Sequence, residues 1–375
     1  MFSTKPGAIK TCTAAGEPRE LASTTHCRKY SGYVAVKHHS ERSADNGRSG
    51  CARHSSGHSA RLLLRTDAVT AWDVTQNAES LRPPDQKRAP STQFSFPYRG
   101  ANVKFSGTRR YVADSNHAML IAKNELYTLR HPTTGEHAML TVEITPEALS
   151  RALPTQCEDL PDLVTLNRGC LPIAPQTQVL ATHLREKLSR RSVDQHEAEI
   201  TALQLIRRTL QDGISPATPR HGRPAELANQ VKLHLSADPW RRWTLKEMAE
   251  TVCVTPIYLT DAFRRVEGTP FYRYHLRLRL AFALTLLASC EDLTTLAIEL
   301  GFNSHSHFSA AFKKTFGQTP SALRTAISGD PPLCAGANNH SASNRVDVRF
   351  YRSQRSSGQD ERLTRATVVA TEFVA

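Results

Sequence analysis

The spacing of apolar residues divides the chain into a part with a period of two and a later part with helical periodicity. Between residues 61 and 154, apolar and polar positions alternate in short runs separated by turn-forming stretches such as HPTTG. Alternation of this kind predicts strands with one buried face. The predicted strands are LLLRT, AVTAWDV, TQFSF, ANVKF, RRYVA, HAMLIA, LYTL and HAMLTVEIT. Several short strands at close spacing indicate a sandwich or a barrel.

Helical periodicity follows the strands, with two helices predicted at 177–190 and 194–212. The chain is therefore predicted to be an α+β multidomain protein. The predicted segments are a β-rich domain at 60–154, a helical pair and candidate dimerisation element at 155–212, a linker at 213–223, and an all-α domain of about seven helices at 224–326. The polar tails at 1–59 and 327–375 are predicted to be disordered.

A helix-turn-helix pattern occurs twice in the all-α domain, at 244–266 and at 293–316. In the second copy, a short apolar helix is broken by GFN, and the next helix has Phe308 and Phe312 on its apolar face. Apolar positions before the turn match the first copy at an offset of 48, and those after it match at 49. Two degenerate copies are more specific for DNA binding than one. The helix predicted between them, 270–288, would be about 28 Å long, which suits adjacent major-groove turns about 34 Å apart.

The sequence His305-Ser306-His307 raises a metal site as an alternative to DNA binding. Helical residues two positions apart point about 200° away from each other, so the two rings cannot hold one ion together. The eight Cys are scattered without a CxxC pair, and the GxSxG, HExxH, P-loop and GxGxxG patterns are missing. We therefore predict no metal, no cofactor and no enzymatic activity.

The net charge of +13 permits a polyanionic partner but does not locate its binding site. Residues 224–326 contain 12 Lys and Arg against 9 Asp and Glu, an excess of only three. The prediction of DNA binding therefore depends on the repeated motif. No stretch approaches the roughly 20 apolar residues that a membrane span needs, and the unpaired Cys fit reduced thiols, which favours a cytoplasmic protein.

A linker-helix pattern and a recognition-helix pattern are carried by Arg279-Leu280, Ala283, Leu286-Leu287, Leu296-Ala297, Gly301-Phe302, Phe308-Ser309, Phe312-Lys313, Gly317 and Pro320. With these residues, the domain at 224–326 resembles the AraC/XylS family of transcription regulators. The resemblance implies double-stranded promoter DNA and RNA polymerase as partners. It also implies base contacts from the second helix of each motif, made by Ile257, Thr260, Asp261, His305, Ser306, Ser309 and Ala310.

Two of these positions depart from the family, which usually has Arg late in each reading face. Asp261 can only accept a hydrogen bond, for example from cytosine N4, and Ala310 offers only apolar contact. A solvated Asp261 that reads nothing is the alternative. The later turns of the same helices lie where a long cation can reach the groove wall. The predicted phosphate contacts are therefore Arg264, Lys313 and Lys314.

The β-rich domain and helical pair resemble the cupin-like, half-barrel sensor found in many regulators of this family. This implies a small-molecule effector, whose identity and pocket residues the sequence leaves open, and a homodimer as one arrangement. The predicted function is an effector-responsive regulator, expected to be an activator. The alternatives are a DNA-binding protein whose β domain only dimerises, and a cupin-type metal enzyme fused to a DNA-binding domain.

Overall fold

The structure is a computed structural model that describes residues 58–77, 86–131, 136–152, 169–213 and 222–328. The tails predicted to be disordered lie outside the described residues, except that the first strand begins at His58 and the last helix ends at Ser328. Most of the predicted linker also lies outside them. Of its ends, Gly213 is the last residue of a helix and Arg223 is the first residue of the next.

The described strands form two antiparallel sheets. They are β1 His58–Arg65, β2 Val69–Asn77, β3 Lys87–Arg88, β4 Thr92–Arg99, β5 Asn102–Ser106, β6 Arg109–Ala113, β7 His117–Ile121, β8 Leu126–Arg130, β9 Glu136–Ile144 and β10 Cys170–Pro172. The larger sheet has the order β1-β2-β9-β4-β7-β10, and the smaller has the order β3-β8-β5-β6. All eight predicted strands are present, whereas the sequence reasoning missed β3 and β10.

Two helices cover the larger sheet and share a core with it. In chain order the first helices are α1 Pro146–Ala152, α2 Pro175–Arg190 and α3 Gln195–Gly213. α2 begins with Pro in its first turn and ends at Arg191, which takes the left-handed conformation that closes a helix. Apolar side chains of α2 and α3 pack against apolar side chains of the strands. The helices contribute Leu184, Leu205 and Ile206, and the strands contribute Leu64, Phe94 and Leu140. This packing confirms the helical pair predicted after the strands.

Seven described helices follow and enclose two cores. They are α4 Arg223–Ala237, α5 Leu245–Thr251, α6 Pro256–Glu267, α7 Phe271–Leu286, α8 Leu293–Glu299, α9 His305–Phe316 and α10 Pro320–Ser328. Helix α7 joins the cores, with Tyr274 and Leu278 in the first and Leu280 and Leu284 in the second. The β-rich region and the helical region confirm the coarse fold class. The cupin-like half-barrel and the domain boundaries stay predictions.

The β-rich region packs directly against the C-terminal helices. Strand β6 contacts α4, and helix α2 contacts α7, α9 and α10. Val179 of α2 packs against the second core. The Asn116 side chain, between β6 and β7, donates to the carbonyl of Tyr274 in α7 at 3.5 Å. The described residues therefore place the strands in contact with the first helical core and helix α2 in contact with the second.

Candidate nucleic-acid interface

Local sequence defines the first helix-turn-helix, α5 and α6. Thr244 caps α5 in a reciprocal capping box with Glu247, and Thr255 caps α6 by accepting a hydrogen bond from the Tyr258 backbone. Pro256 fits the first turn of α6 because that position has no intrahelical donor to lose. Cys253 occupies the turn with a φ of 53°, in the left-handed region. Two caps and one left-handed residue therefore set the angle between the helices.

The second pair, α8 and α9, has the same construction. The Asp292 carboxylate accepts from the Thr295 backbone at 2.6 Å, and the Ser304 hydroxyl accepts from the His307 backbone at 3.2 Å. Gly301 has a φ of +77° in the turn, and a Cβ there would lie 2.7 Å from the Trp240 carbonyl oxygen. Only glycine fits this position without a shift of the backbone. Gly301 is the residue 48 positions after Cys253, so both turns use the same left-handed position.

Arg279 of the connecting helix α7 supports the second turn. Its Nε and Nη2 donate to the Leu300 carbonyl at 3.0 and 2.5 Å, and its guanidinium lies 4.7 Å from the centre of the Phe302 ring. Burial, together with the charge of Arg242, lowers the pKa of Arg279 to about 10. Arg242 donates from Nε to the Gly301 carbonyl at 2.9 Å. These two cations hold the turn carbonyls, so their role here is structural.

The second helix of each pair has an aromatic buried face. Phe263 in α6 and Phe308 and Phe312 in α9 are fully buried. This burial agrees with the apolar faces predicted from the helical spacing. Each helix is therefore held by its apolar back, and its opposite face is free to contact a ligand.

The exposed face of α6 contains every predicted contact residue of that helix. Ile257 is 84% exposed, which is unusual for a large apolar side chain, and Thr260, Asp261 and Arg264 are also exposed. Arg265 lies one turn after Asp261, and its guanidinium forms an ion pair with the Asp261 carboxylate. The sequence reasoning missed Arg265, although its spacing of four residues from Asp261 is a signal for such a pair.

The predicted contacts of α9 divide into two groups. Ser306, Ala310, Lys313 and Lys314 are exposed. His305 and Ser309 are half-buried, and the Ser309 hydroxyl lies 3.3 Å from Nε2 of His305. His307, which the prediction left out, is exposed and stands edge-on to the Phe302 ring at 5.5 Å between ring centroids.

The two histidines face different neighbours, as their helical spacing predicted. Among the described residues, no cluster of three or more His, Cys, Asp or Glu side chains is arranged to hold a metal ion. No helix in this part of the chain is long and apolar enough to cross a membrane.

The helix-turn-helix geometry agrees with the comparisons to known proteins. A family model described as a helix-turn-helix domain matches residues 248–326. Transcriptional activator RhrA of Rhizobium meliloti (strain 1021) is 30% identical over 162 residues, which are 41% of this chain and 49% of that protein. HTH-type transcriptional regulator GlxA of the same organism is 29% identical over 172 residues, 43% of this chain and 49% of that protein. The chain spans about half the length of these relatives.

The solved structures that this chain resembles match it with low TM-scores. ToxT from Vibrio cholerae, with an unsaturated fatty acid bound, has a TM-score of 0.29 and 12% identity, and the match covers 72% of this chain and 99% of that one. The C-terminal region is a helix-turn-helix domain. More narrowly, it is a domain of the AraC type, as the sequence resemblance predicted.

Proposed function

We propose that the chain is an effector-responsive transcription regulator that reads two adjacent major-groove segments of double-stranded promoter DNA. The observation that carries this proposal is the pair of helices α6 and α9. Each follows a capped helix and a left-handed turn, and each has a buried aromatic back and an exposed polar front. A second helix presented in this way is the element that enters the major groove in helix-turn-helix proteins.

The connecting helix α7 supports reading by one chain. Its 16 residues give a length of about 24 Å at the helical rise. This is shorter than the 19 residues predicted from periodicity. The separation of α6 and α9 need not equal the length of α7, because each helix packs beside α7 in its own core. Two readers on one side of the duplex would contact half-sites about one helical turn apart.

The exposed side chains of α6 suggest how the first half-site is read. Ile257 offers an apolar surface that suits a thymine methyl group. The Asp261 carboxylate can accept from cytosine N4 with one oxygen while Arg265 contacts the other. The ion pair also lowers the electrostatic cost of bringing a carboxylate to DNA. We therefore add Arg265 to the predicted reading face and assign Arg264 to a phosphate.

On α9, we assign Ser306 and Ala310, which are exposed, to base edges, and Lys313 and Lys314, which lie exposed in the last turn, to phosphates. Half-burial of His305 and Ser309 gives these two residues a smaller share of the reading surface. We expect exposed His307 to supplement them.

The contacts of the strands with the first core and of α2 with the second support a regulatory role for the β-rich region and its helices. A small molecule that binds this region can control DNA binding only if it binds two states of the protein with different affinity. RNA polymerase and a second copy of the chain are further proposed partners. The alternative, a β domain that only dimerises, predicts that no small molecule changes the affinity for DNA.

The test of the proposal is selection of bound duplexes from a random library by the full chain. Enrichment of two short sequence blocks about one helical turn apart is the expected result. Binding of every sequence with equal affinity would overturn the proposal. Titration of candidate metabolites against the selected duplex then distinguishes an effector-responsive regulator from a DNA-binding protein without an effector.

A further inference from the structure

Four ionisable side chains meet in the buried contact between the β-rich region and the first helical core. Asp114 and His117 flank the turn from β6 to β7, Lys232 lies in α4, and Glu267 is the last residue of α6. The side chains of His117, Lys232 and Glu267 are 5 to 6% exposed, and that of Asp114 is fully buried. We name these four residues the docking cluster.

Hydrogen bonds link the docking cluster across the contact. His117 places Nδ1 3.0 Å from Asp114 Oδ1 and Nε2 3.0 Å from Glu267 Oε2. The Tyr274 hydroxyl, from α7, donates to Asp114 Oδ2 at 2.6 Å. The imidazole therefore bridges a carboxylate of the β-rich region and the C-terminal residue of the proposed first reading helix.

Lys232 completes the cluster from the other side. Its Nζ lies 3.0 Å from Glu267 Oε1 and donates to the Val112 carbonyl of β6 at 2.9 Å. Each oxygen of Glu267 thus has one cationic partner. Two cations and two carboxylates balance within the buried contact.

The protonation of His117 follows from its two carboxylate contacts, because both ring nitrogens must donate. Burial and the charge of Lys232 act to lower the pKa of His117, but Cys170, Glu267 and Asp114 together raise it to about 10. For Glu267, burial acts to raise the pKa, and Lys232 and His117 outweigh it, so the pKa lies below the usual range. The cluster is therefore fully charged at neutral pH.

A charged cluster of this kind favours one docked arrangement over looser ones. A buried charge is costly unless its partner is in place, and removal of one partner from a buried pair is strongly destabilising. Small sliding of the strands over α4 and α6 would separate His117 from Glu267. The docking cluster thus specifies the position of α6 relative to the β-rich region.

The second reading helix is held by a different contact of the same region. Helix α2 packs against α7, α9 and α10, and its Gln178 lies 3.5 Å from Nε of Arg277 in α7. The β-rich region and its helices therefore contact the elements that present both proposed readers.

We infer that the docking cluster, by fixing α6 on the β-rich region while α2 fixes α9, sets the spacing between half-sites that the chain accepts. The inference rests on the proposed function, because spacing has meaning only for a chain that reads two half-sites. Loss of the cluster leaves each reader intact but frees their relative orientation. The spacing preference should then weaken more than the recognition of either half-site.

The experiment replaces the ion pair with apolar side chains of similar length. In the test variant, Lys232→Met is combined with Glu267→Met, which leaves His117 paired with Asp114. The matched control combines Lys104→Met with Glu125→Met. In that pair Lys104 is buried and Glu125 is half-buried, and the two charged groups are 2.7 Å apart. Its lysine also donates to a backbone carbonyl, that of Leu120, but the pair lies within the β-rich region.

Binding is measured by fluorescence anisotropy with the duplex that the wild-type chain selects and with duplexes carrying one or two extra base pairs between the half-sites. We expect the wild-type chain and the control variant to discriminate against the longer duplexes at least about tenfold, within the range of site-to-site couplings. We expect the test variant to discriminate about two- to threefold. Equal discrimination by all three folded proteins would overturn the inference.

Two further measurements keep the test decisive. If the double variant does not fold, Tyr274→Phe takes its place, because it removes only one hydrogen-bond donor from Asp114. It should weaken the spacing preference as well, and an unchanged preference would count against the inference. Hydrogen exchange tests docking without DNA: residues 109–121 and α6 should exchange faster together in the test variant but not in the control. If residues 109–121 and α6 exchange independently of each other, the docking role is overturned even if the chain binds specific DNA. If the wild-type chain shows no sequence preference, the proposed function itself is overturned.

Discussion

Replacement of Lys313 by Ala tests the division between phosphate and base contacts. Lys313 lies in the last turn of α9, with its side chain exposed and, among the described residues, no carboxylate within ion-pair distance. Ala is the best helix former, so the substitution preserves the helix. Any change in DNA binding therefore reports the loss of the ammonium group.

The magnitude follows from counterion release. One phosphate contact contributes about 0.9 to the slope of log affinity against log salt. Between 50 and 200 mM salt, a fourfold change, that slope corresponds to a factor of about 3.5. Over this range the fold-loss of affinity should thus be about 3.5 times larger for the wild-type chain than for Lys313→Ala. Combined with Lys314→Ala, the difference should reach about 12-fold.

The assay is a salt titration of the full chain with the selected duplex and with a scrambled duplex. Lys123→Ala provides the control, because Lys123 is exposed in the β-rich region and its loss changes net charge equally. We expect a reduced slope on both duplexes for Lys313→Ala and an unchanged slope for the control. A Lys313→Ala protein with the wild-type slope, or with altered sequence preference, would refute the phosphate assignment.

Three further predictions concern the reading face, the turn and the docking cluster. Asp261→Ala should relax the preference at one base pair by about 1–3 kcal/mol, seen in a selected-sequence profile, and an unchanged profile would make Asp261 a solvated residue. Gly301→Ala should lower the free energy of unfolding, measured in urea, by about 2 kcal/mol or more. Gly317→Ala should lower it by about 1 kcal/mol, because a Cβ at Gly317 meets nothing within 4 Å. Equal losses would count against the close approach at Gly301. The folded-state pKa of about 10 for His117 lies above the ordinary 6.5, so its stabilisation is complete below about pH 6.5 and is lost as pH rises toward 10. The free energy of unfolding should therefore decline with pH between 7 and 9 less steeply in His117→Gln than in the wild type, by up to about 1.4 kcal/mol per pH unit. Parallel curves for the two proteins would contradict this. The titratable groups that face His117 are Asp114, Glu267, Lys232, Cys170 and Tyr274.

Periodicity predicted the elements that repeat a pattern over several residues. The alternation in TQFSF and HAMLTVEIT indicated strands, and the spacing of Phe308 and Phe312 indicated the buried face of α9. The strands β3 and β10 have two and three residues, too few to show alternation, and only their pairing with β8 and β7 defines them.

The exposed face of α9 shows where helical periodicity loses precision. His305 and His307 are both polar and lie near the same helix start. Which of them is half-buried depends on where the cap places the first turn, a difference of one residue that shifts the face by about 100°. The prediction therefore included most of the exposed face of α9 but left out the more exposed histidine.

The docking cluster could not be predicted from the sequence because its partners are far apart in the chain. His117 and Glu267 are separated by 150 positions. Asp, Lys and Glu are usually exposed and His is intermediate, and none of the four residues is a position that matches between the two repeated motifs. Only the packing of β6 and β7 against α4 and α6 shows that they are buried together.

The central claim, that one chain reads two half-sites through α6 and α9, is tested most directly by selection with the full chain and with two reader variants. Thr260→Glu places a carboxylate on the exposed face of α6, and Ala310→Glu places one on the exposed face of α9. The account predicts a selected sequence with two blocks about one helical turn apart, of which each variant loses a different one. A single block, or loss of the same block in both folded variants, would contradict it.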